Sequence, residues 1–153
     1  RINYLILYGT GPVGMLPNRF ETIEESKRRV VADGPQLTGR RIAATWFVQR
    51  EQAAQYHVCA ELADKASLQA SLAGLSAMEA WSGVPYLTQI KSPTLVLWGD
   101  GDRTYQWSQP EQLWNNIPAA QLGVIPGCAH AVHLEKPHVF NAVLMDFFQL
   151  QTS

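Results

Sequence analysis

The chain lacks the features that mark several large classes of protein. Its two cysteines are too few for a disulfide framework and fit a reducing compartment, so we expect a cytoplasmic protein. A net charge of −1 without a basic run gives no reason to expect a nucleic acid partner. No apolar stretch approaches the roughly 18 residues that a membrane helix needs. Because 46% of the 153 residues are hydrophobic and 16% are charged, a disordered chain is also excluded.

An initiator methionine is absent as well. The sequence begins with Arg1 and enters the apolar run from Tyr4 to Tyr8 almost at once. A natural start rarely lies at the mouth of a core strand. We therefore expect these residues to be part of a longer protein.

Three short apolar runs predict the strands of a sheet. They are Ile2–Tyr8, Thr94–Trp98 and Gln121–Ile125, and each is followed by glycine or proline. Nearly continuous runs of this kind are typical of parallel strands that are buried on both faces. Because helical patterns separate the runs, the sequence predicts an α/β fold with a parallel sheet. After the third run, Pro137 is expected to begin a helix whose apolar stripe packs on that sheet.

A stretch of about eighty residues between the first two runs has no convincing strand signal, and it is far longer than an ordinary crossover. We predict an all-helical insert that lies over the sheet. The expected divisions are a core strand and turn in residues 1–17, a helical cap in residues 18–86 and a C-terminal core in residues 87–153.

The pattern predicts four helices within this cap. Asn18 is the expected N-cap of the first helix, whose apolar face includes Phe20. Thr38 is the expected N-cap of the second. The alanine-rich stretch from Tyr56 to Ala73 predicts the third helix, and Ser76–Trp81 predicts a short fourth.

The segment Gly9-Thr10-Gly11-Pro12-Val13-Gly14 matches the G-x-G-x-x-G fingerprint of dinucleotide-binding folds. That fingerprint requires a helix that begins at the second glycine, so that the helix N-terminus faces the pyrophosphate. Pro17 would break such a helix one turn after it began. We therefore reject a dinucleotide site and interpret the segment as a turn from strand to cap.

Two later segments carry an acid and a histidine at the ends of predicted strands. Residues 93–102 form a buried strand that ends in Asp100 and Asp102, and residues 125–137 lead from a strand to His130 among small residues. The carboxyl ends of parallel strands lie at the same edge of a sheet, so these side chains can meet there. An acid that accepts from one imidazole nitrogen leaves the other nitrogen able to take a proton from a nucleophile.

These segments resemble the C-terminal part of α/β-hydrolase-fold enzymes. The similarity lies in I-K-S-P-T-L-V-L-W-G-D-G-D at residues 90–102, I-P-A-A-Q-L-G-V-I-P-G-C-A-H at 117–130 and H-L-E-K-P-H-V-F-N at 133–141. The opening L-I-L-Y-G-T-G-P is similar to the strand that follows the nucleophile turn in this family. The resemblance covers the whole chain, most specifically at its C-terminal end.

The resemblance implies a Ser-His-Asp triad that acts on an ester, a lactone or a related small apolar acyl substrate, without a metal or organic cofactor. Asp102 is the implied acid, with Asp100 as the alternative, and His130 is the implied base. The nucleophile motif G-x-S-x-G is absent, and Ser76 in G-L-S-A-M is its nearest approach. The resemblance thus implies that the nucleophile and oxyanion hole lie upstream of Arg1. The expected partner is this missing N-terminal half, in the same chain or in a separate one.

Four aromatic residues are candidates for a substrate-binding wall, although each also fits ordinary packing. They are Trp46 and Trp81 in the cap, and Tyr105 and Trp107 after the acid. His133 is interpreted as a loop or helix-entry contact, and Cys128 as a packing residue.

Two alternatives to an ester hydrolase stay open. One is a ligand-binding receptor of the same fold, which can keep the acid and the histidine. The other is a hydrolase that cleaves carbon–carbon bonds of ring-fission products. Members of that group often carry tryptophan directly after the histidine, where this chain has Ala131, so this alternative is disfavoured without being excluded.

Overall fold

The computed structural model describes residues 2–19 and 21–150. These residues contain a parallel three-stranded sheet in the order β1-β2-β3. The strands are β1 (Leu5–Tyr8), β2 (Thr94–Gly99) and β3 (Gln121–Ile125). The predicted α/β class and the three parallel strands are confirmed.

All three strands were predicted to be buried, but among them only β2 is fully buried. Every residue of β2 is buried, whereas β1 is half-buried and β3 is exposed at Gln121 and Val124. Ile2, which was expected in the first strand, precedes β1 and is 65% exposed. The strands differ because β2 pairs on both sides: Leu95, for example, faces Ile6 on one side and Gln121 on the other.

Seven α-helices accompany the sheet in the described residues. They are α1 (Ile23–Asp33), α2 (Pro35–Ala44), α3 (Tyr56–Ala63), α4 (Leu68–Ala80), α5 (Ser108–Asn116), α6 (Val132–Glu135) and α7 (Pro137–Leu150). Helices α1–α4 fall within the predicted cap, and the division into domains stays a prediction. None of the described helices is both long and apolar enough to cross a membrane.

Alternating residues of β2 build a core on each face of the sheet. Leu95 and Leu97 pack on one face with Phe147 of α7. Val96 packs on the other face with Leu113 of α5. The helix that was predicted to begin at Pro137 therefore begins there and covers the sheet as expected.

The start of the first cap helix differs from the prediction. Thr22 is its N-cap, and the Thr22 side chain accepts a hydrogen bond from the N–H of Glu25 at 3.0 Å. Thr22 has the extended backbone that an N-cap requires, whereas Asn18 has a positive φ of 59°. The predicted cap at Asn18 is therefore wrong, and Phe20 lies outside the described residues.

Three further helix predictions in the cap are wrong. Thr38 lies inside α2 instead of capping it, because Pro35 already begins that helix. The stretch from Tyr56 to Ala73 is divided between α3 and α4, and the side chain of Ser67 caps α4. The predicted separate short helix at Ser76–Trp81 is not formed, because residues 76–80 belong to α4 and Trp81 is its C-cap.

Two glycines allow the packing of the cap to be tested. A Cβ at Gly74, inside α4, would meet no atom within 4 Å, so Gly74→Ala should raise the free energy of unfolding by about 1 kcal/mol. A Cβ at Gly14 would overlap the main chain of Met78, so Gly14→Ala should lower it by about 1–3 kcal/mol. Urea unfolding of the full-length protein measures both. Equal stability of the two variants would contradict the packing of the turn after β1 on α4.

Candidate active site

Two loops cross at the carboxyl end of β2. Residues 128–129 pass so close to Gly99 that a Cβ there would overlap two of their carbonyl oxygens. The N–H of Gly101 donates to the same loop at 2.9 Å. As a result Asp102, on one loop, faces His130 on the other.

Asp102 and His130 form a hydrogen-bonded pair. His130 Nδ1 donates to Asp102 Oδ2 at 2.9 Å, and Asp102 Oδ1 accepts from the N–H groups of Thr104 at 2.7 Å and Tyr105 at 3.0 Å. The Asp102 side chain is fully buried, and that of His130 is 22% exposed. N–H donors on both oxygens suit an ionised carboxylate. Since Nδ1 carries the proton that faces Asp102, Nε2 is the nitrogen that can accept one.

The alternative acid, Asp100, binds elsewhere. Its Oδ1 accepts from the N–H of Gly127 at 2.6 Å and so links the end of β2 to the loop after β3. Of the two acids, the structure pairs Asp102 with the histidine.

Three aromatic rings surround the imidazole of His130. The ring centroid of Tyr105 lies 5.6 Å from that of His130 in a stacked arrangement, and the Trp46 centroid lies at 5.6 Å with a tilt of 45°. Tyr8 is stacked at 6.5 Å. Burial, and then the charge of Asp102, raise the pKa of Tyr105, so this ring is an uncharged phenol at neutral pH.

A cavity of about 320 Å³ lies beside Tyr105, between the turn after β1 and helix α4. Trp81 lines this cavity, together with Thr10, Gly11, Val13, Gly14, Ala77 and Met78. Trp107 instead packs against Trp98, with ring centroids 5.4 Å apart. The structure thus groups three of the four predicted aromatic residues around the pair or its neighbouring cavity. Their roles in substrate binding stay predictions.

Tyr8 was not singled out from the sequence, yet its hydroxyl contacts both His130 and His133. It lies 2.6 Å from the carbonyl oxygen of His130 and 2.8 Å from His133 Nδ1. A carbonyl can only accept, so the Tyr8 hydroxyl donates its proton to the carbonyl oxygen of His130. His133 Nδ1 then donates to the Tyr8 oxygen. Burial raises the pKa of Tyr8 to about 12, and burial with the nearby His130 lowers that of His133. In the sequence, only the position of Tyr8 at the end of the predicted first strand indicated that it could lie near the acid and the histidine.

The turn after β1 brings main chain against the imidazole. Gly9 has a φ of +52°, and a Cβ there would lie 3.1 Å from the ring of His130. The turn does not continue into a helix at Gly11, because the next helix begins at Ile23. The helix that the dinucleotide fingerprint requires is therefore not formed at this point.

Cys128 is buried beside the site, and its Sγ donates to the carbonyl oxygen of Ile125 at 3.2 Å. Burial raises the pKa of this thiol to about 11, so it is uncharged at neutral pH, as a packing residue requires. Among residues 2–19 and 21–150, no group of three or more His, Cys, Asp or Glu side chains is placed to hold a metal ion.

A parallel sheet that carries an acid–imidazole pair where its strands end is the arrangement of α/β hydrolytic enzymes. The chain matches the model of the family described as "Alpha/beta hydrolase family" over residues 6–143. It belongs to the alpha/beta hydrolase family.

Relatives within the family differ in how much of this chain they match. The chain is 40% identical over 70 residues to 2-hydroxy-6-oxo-6-phenylhexa-2,4-dienoate hydrolase of Delftia acidovorans, a match that covers 46% of this chain and 24% of the relative. It superposes with a TM-score of 0.84 on an esterase from Exiguobacterium antarcticum, at 18% identity over 96% of this chain and 57% of that one. The TM-score is 0.83 for the enol-lactonase from Burkholderia xenovorans LB400, at 20% identity over 97% of this chain and 57% of that one. The solved structures share the fold, and the chain spans less than two thirds of each of these proteins.

Removal of the Tyr8 hydroxyl tests the hydrogen bonds around the histidines. Tyr8→Phe leaves the His130 carbonyl and His133 Nδ1 without this partner, so the free energy of unfolding should fall by about 1 kcal/mol. Urea unfolding of the full-length protein measures the change. Tyr86→Phe, at a tyrosine that is 63% exposed, is the control and should change little. An unchanged stability of Tyr8→Phe would show that these hydrogen bonds contribute nothing measurable.

Proposed function

We propose that this chain supplies the acid and the base of a hydrolase that acts on a carboxylic ester, a lactone or a related small apolar acyl substrate. The observation that carries the proposal is the hydrogen bond of 2.9 Å from His130 Nδ1 to the buried Asp102 carboxylate. Asp102 holds the imidazole in one tautomer and stabilises its cation. His130 Nε2 takes the proton from the nucleophile and later delivers it to the leaving group.

The nucleophile in this proposal is a serine outside the 153 residues, which contain no G-x-S-x-G. The proposed source of this serine is an N-terminal half of the enzyme, in the same chain or in a separate one. The serine Oγ bonds to the acyl carbon while its proton passes to His130, and the alcohol leaves with that proton. Water then repeats the same steps on the acyl-enzyme and releases the carboxylic acid.

In this proposal the cap supplies part of the apolar surface for the substrate. Trp46 lies against His130, and Trp81 with Tyr105 lines the neighbouring cavity of about 320 Å³. Most of the other lining side chains are apolar, which favours an acyl or aryl group over a charged one. Trp107, packed on Trp98, acts at most through the loop that carries Tyr105, since Trp98 Nε1 donates to the Tyr105 carbonyl oxygen at 2.7 Å.

A second candidate activity is hydrolysis of a carbon–carbon bond in a ring-fission product. The 40% identity to 2-hydroxy-6-oxo-6-phenylhexa-2,4-dienoate hydrolase over 70 residues favours it. The alanine at position 131, directly after His130, weighs against it, because such enzymes often carry tryptophan there. The same acid and base serve both reactions, so the choice depends on the substrate that the complete cleft accepts.

Removal of either member of the pair should abolish most turnover. In the full-length protein, Asp102→Asn and His130→Ala should each lower kcat for a p-nitrophenyl ester roughly a thousandfold or more. Asp146→Asn and His138→Ala, at exposed residues of α7, are the matched controls and should retain activity. Near-normal rates in either variant of the pair would contradict the assignment.

A comparison of substrates separates the candidate activities. The full-length protein is given the p-nitrophenyl ester and 2-hydroxy-6-oxo-6-phenylhexa-2,4-dienoate, and kcat/KM is measured for each. A higher value for the ester supports the first proposal, and a higher value for the dienoate supports the second. Binding of either compound without turnover would contradict both and favour a receptor of the same fold.

A further inference from the structure

Glu135, at the end of α6, binds two segments that are far apart in the sequence. Its Oε2 accepts from the N–H of Ala129 at 2.6 Å, and its Oε1 accepts from the N–H of Val48 at 2.8 Å. Ala129 belongs to the histidine loop, residues 128–131. Val48 belongs to a cap segment, residues 46–48, that we name the cap strap, and it lies 87 residues from Glu135. One carboxylate therefore joins the histidine loop to the cap strap.

Further contacts connect the cap strap to the site. The N–H of Ala131 donates to the carbonyl oxygen of Trp46 at 2.8 Å, and the Trp46 ring lies 5.6 Å from that of His130. Arg103, next to the acid, donates to the carbonyl oxygen of Phe47 at 3.2 Å. Both neighbours of His130 are thus connected to the cap strap: Ala131 binds it directly, and Ala129 binds it through Glu135.

The two amides that Glu135 binds differ in their access to water. Ala129 is fully buried, so water cannot replace a lost acceptor at its N–H. Val48 is 41% exposed and, with Glu135, borders a cavity of about 440 Å³. Water can therefore reach the Val48 side of the contact. Because of this difference, a substitution at Glu135 can remove the hydrogen bond to Val48 and keep the one to Ala129.

We propose that Glu135 is a positioning residue, which fixes the proposed base His130 by binding the histidine loop and the cap strap at the same time. The inference rests on the proposed function, because it concerns the base of that reaction. Glu135 does not touch the reacting atoms. It holds the main chain beside His130 through a charge-assisted hydrogen bond, and it holds Trp46 beside the imidazole through the cap strap.

Two substitutions separate the halves of the contact. Glu135→Gln keeps the shape of the side chain but has one acceptor oxygen, which stays with the buried N–H of Ala129. Its NH₂ group then faces the N–H of Val48, and that contact is lost to water. Glu135→Ala removes both contacts. Glu61→Gln and Glu61→Ala, at an exposed position of α3, are the matched controls.

Steady-state kinetics of the full-length protein on a p-nitrophenyl ester should show a split between kcat and KM. Glu135→Ala should lower kcat roughly 100-fold, because small displacements of a reacting group have effects of that order. Glu135→Gln should mainly raise KM, because it loosens the cap strap at Val48 and leaves the histidine loop bound. A merely structural role would lower only the folded fraction, so rates are normalised to folded protein by circular dichroism.

Hydrogen–deuterium exchange provides a test that does not depend on turnover, so the inference can fail separately from the proposed function. Glu135→Gln should accelerate exchange only in peptides from the cap strap and leave exchange of the histidine loop unchanged. Glu135→Ala should accelerate it in the histidine loop as well. Unchanged exchange of the histidine loop in Glu135→Ala, or a kcat within threefold of the unmodified protein, would overturn the proposal. If Glu135→Ala does not fold, Glu135→Gln decides: faster exchange confined to the cap strap supports the proposal, and no change overturns it.

Discussion

The position of the acid–histidine pair depends on how closely two loops pass each other at Gly99. The strand β2 pairs with β1 as far as Leu97 and with β3 as far as Gly99, so β3 holds its carboxyl end. The main chain of residues 128–129 crosses that end where any Cβ would overlap its carbonyl oxygens. A larger residue at position 99 would push the second loop away and separate Asp102 from His130. The hydrogen bond of the pair is thus a consequence of main-chain packing.

Carboxylates connect the irregular segments around the site. Loops leave N–H groups that no neighbouring strand satisfies, and carboxylate oxygens can accept from them. Asp100 binds the N–H of Gly127, and Glu135 binds amides of the histidine loop and of the cap strap. Asp102 uses one oxygen in the same way on its own loop, and its other oxygen accepts from the imidazole. This second contact distinguishes Asp102 from the other two acids.

Features with a local signal were predictable from the sequence. The three parallel strands, the helix that begins at Pro137 and the meeting of an acid with a histidine at the strand ends all follow from short patterns and sheet topology. The N-cap of α1 was not predictable from residue type, because Asn18 and Thr22 are both good caps and their backbone conformations decide between them. The contact of Glu135 with Val48 carries no periodic signal, since 87 residues separate them.

The main chain and the ring of the proposed base are held by different partners. Asp102 binds the His130 ring, Tyr8 binds the His130 carbonyl oxygen, and the adjoining N–H groups are bound by Glu135 and by the Trp46 carbonyl. General-base catalysis needs the imidazole within hydrogen-bond reach of the proton that it takes, and a base fixed during folding loses little further entropy during the reaction. Two of these partners belong to the cap strap or bind it. In the proposed enzyme, a movement of the cap strap on substrate binding would therefore reach the main chain beside His130.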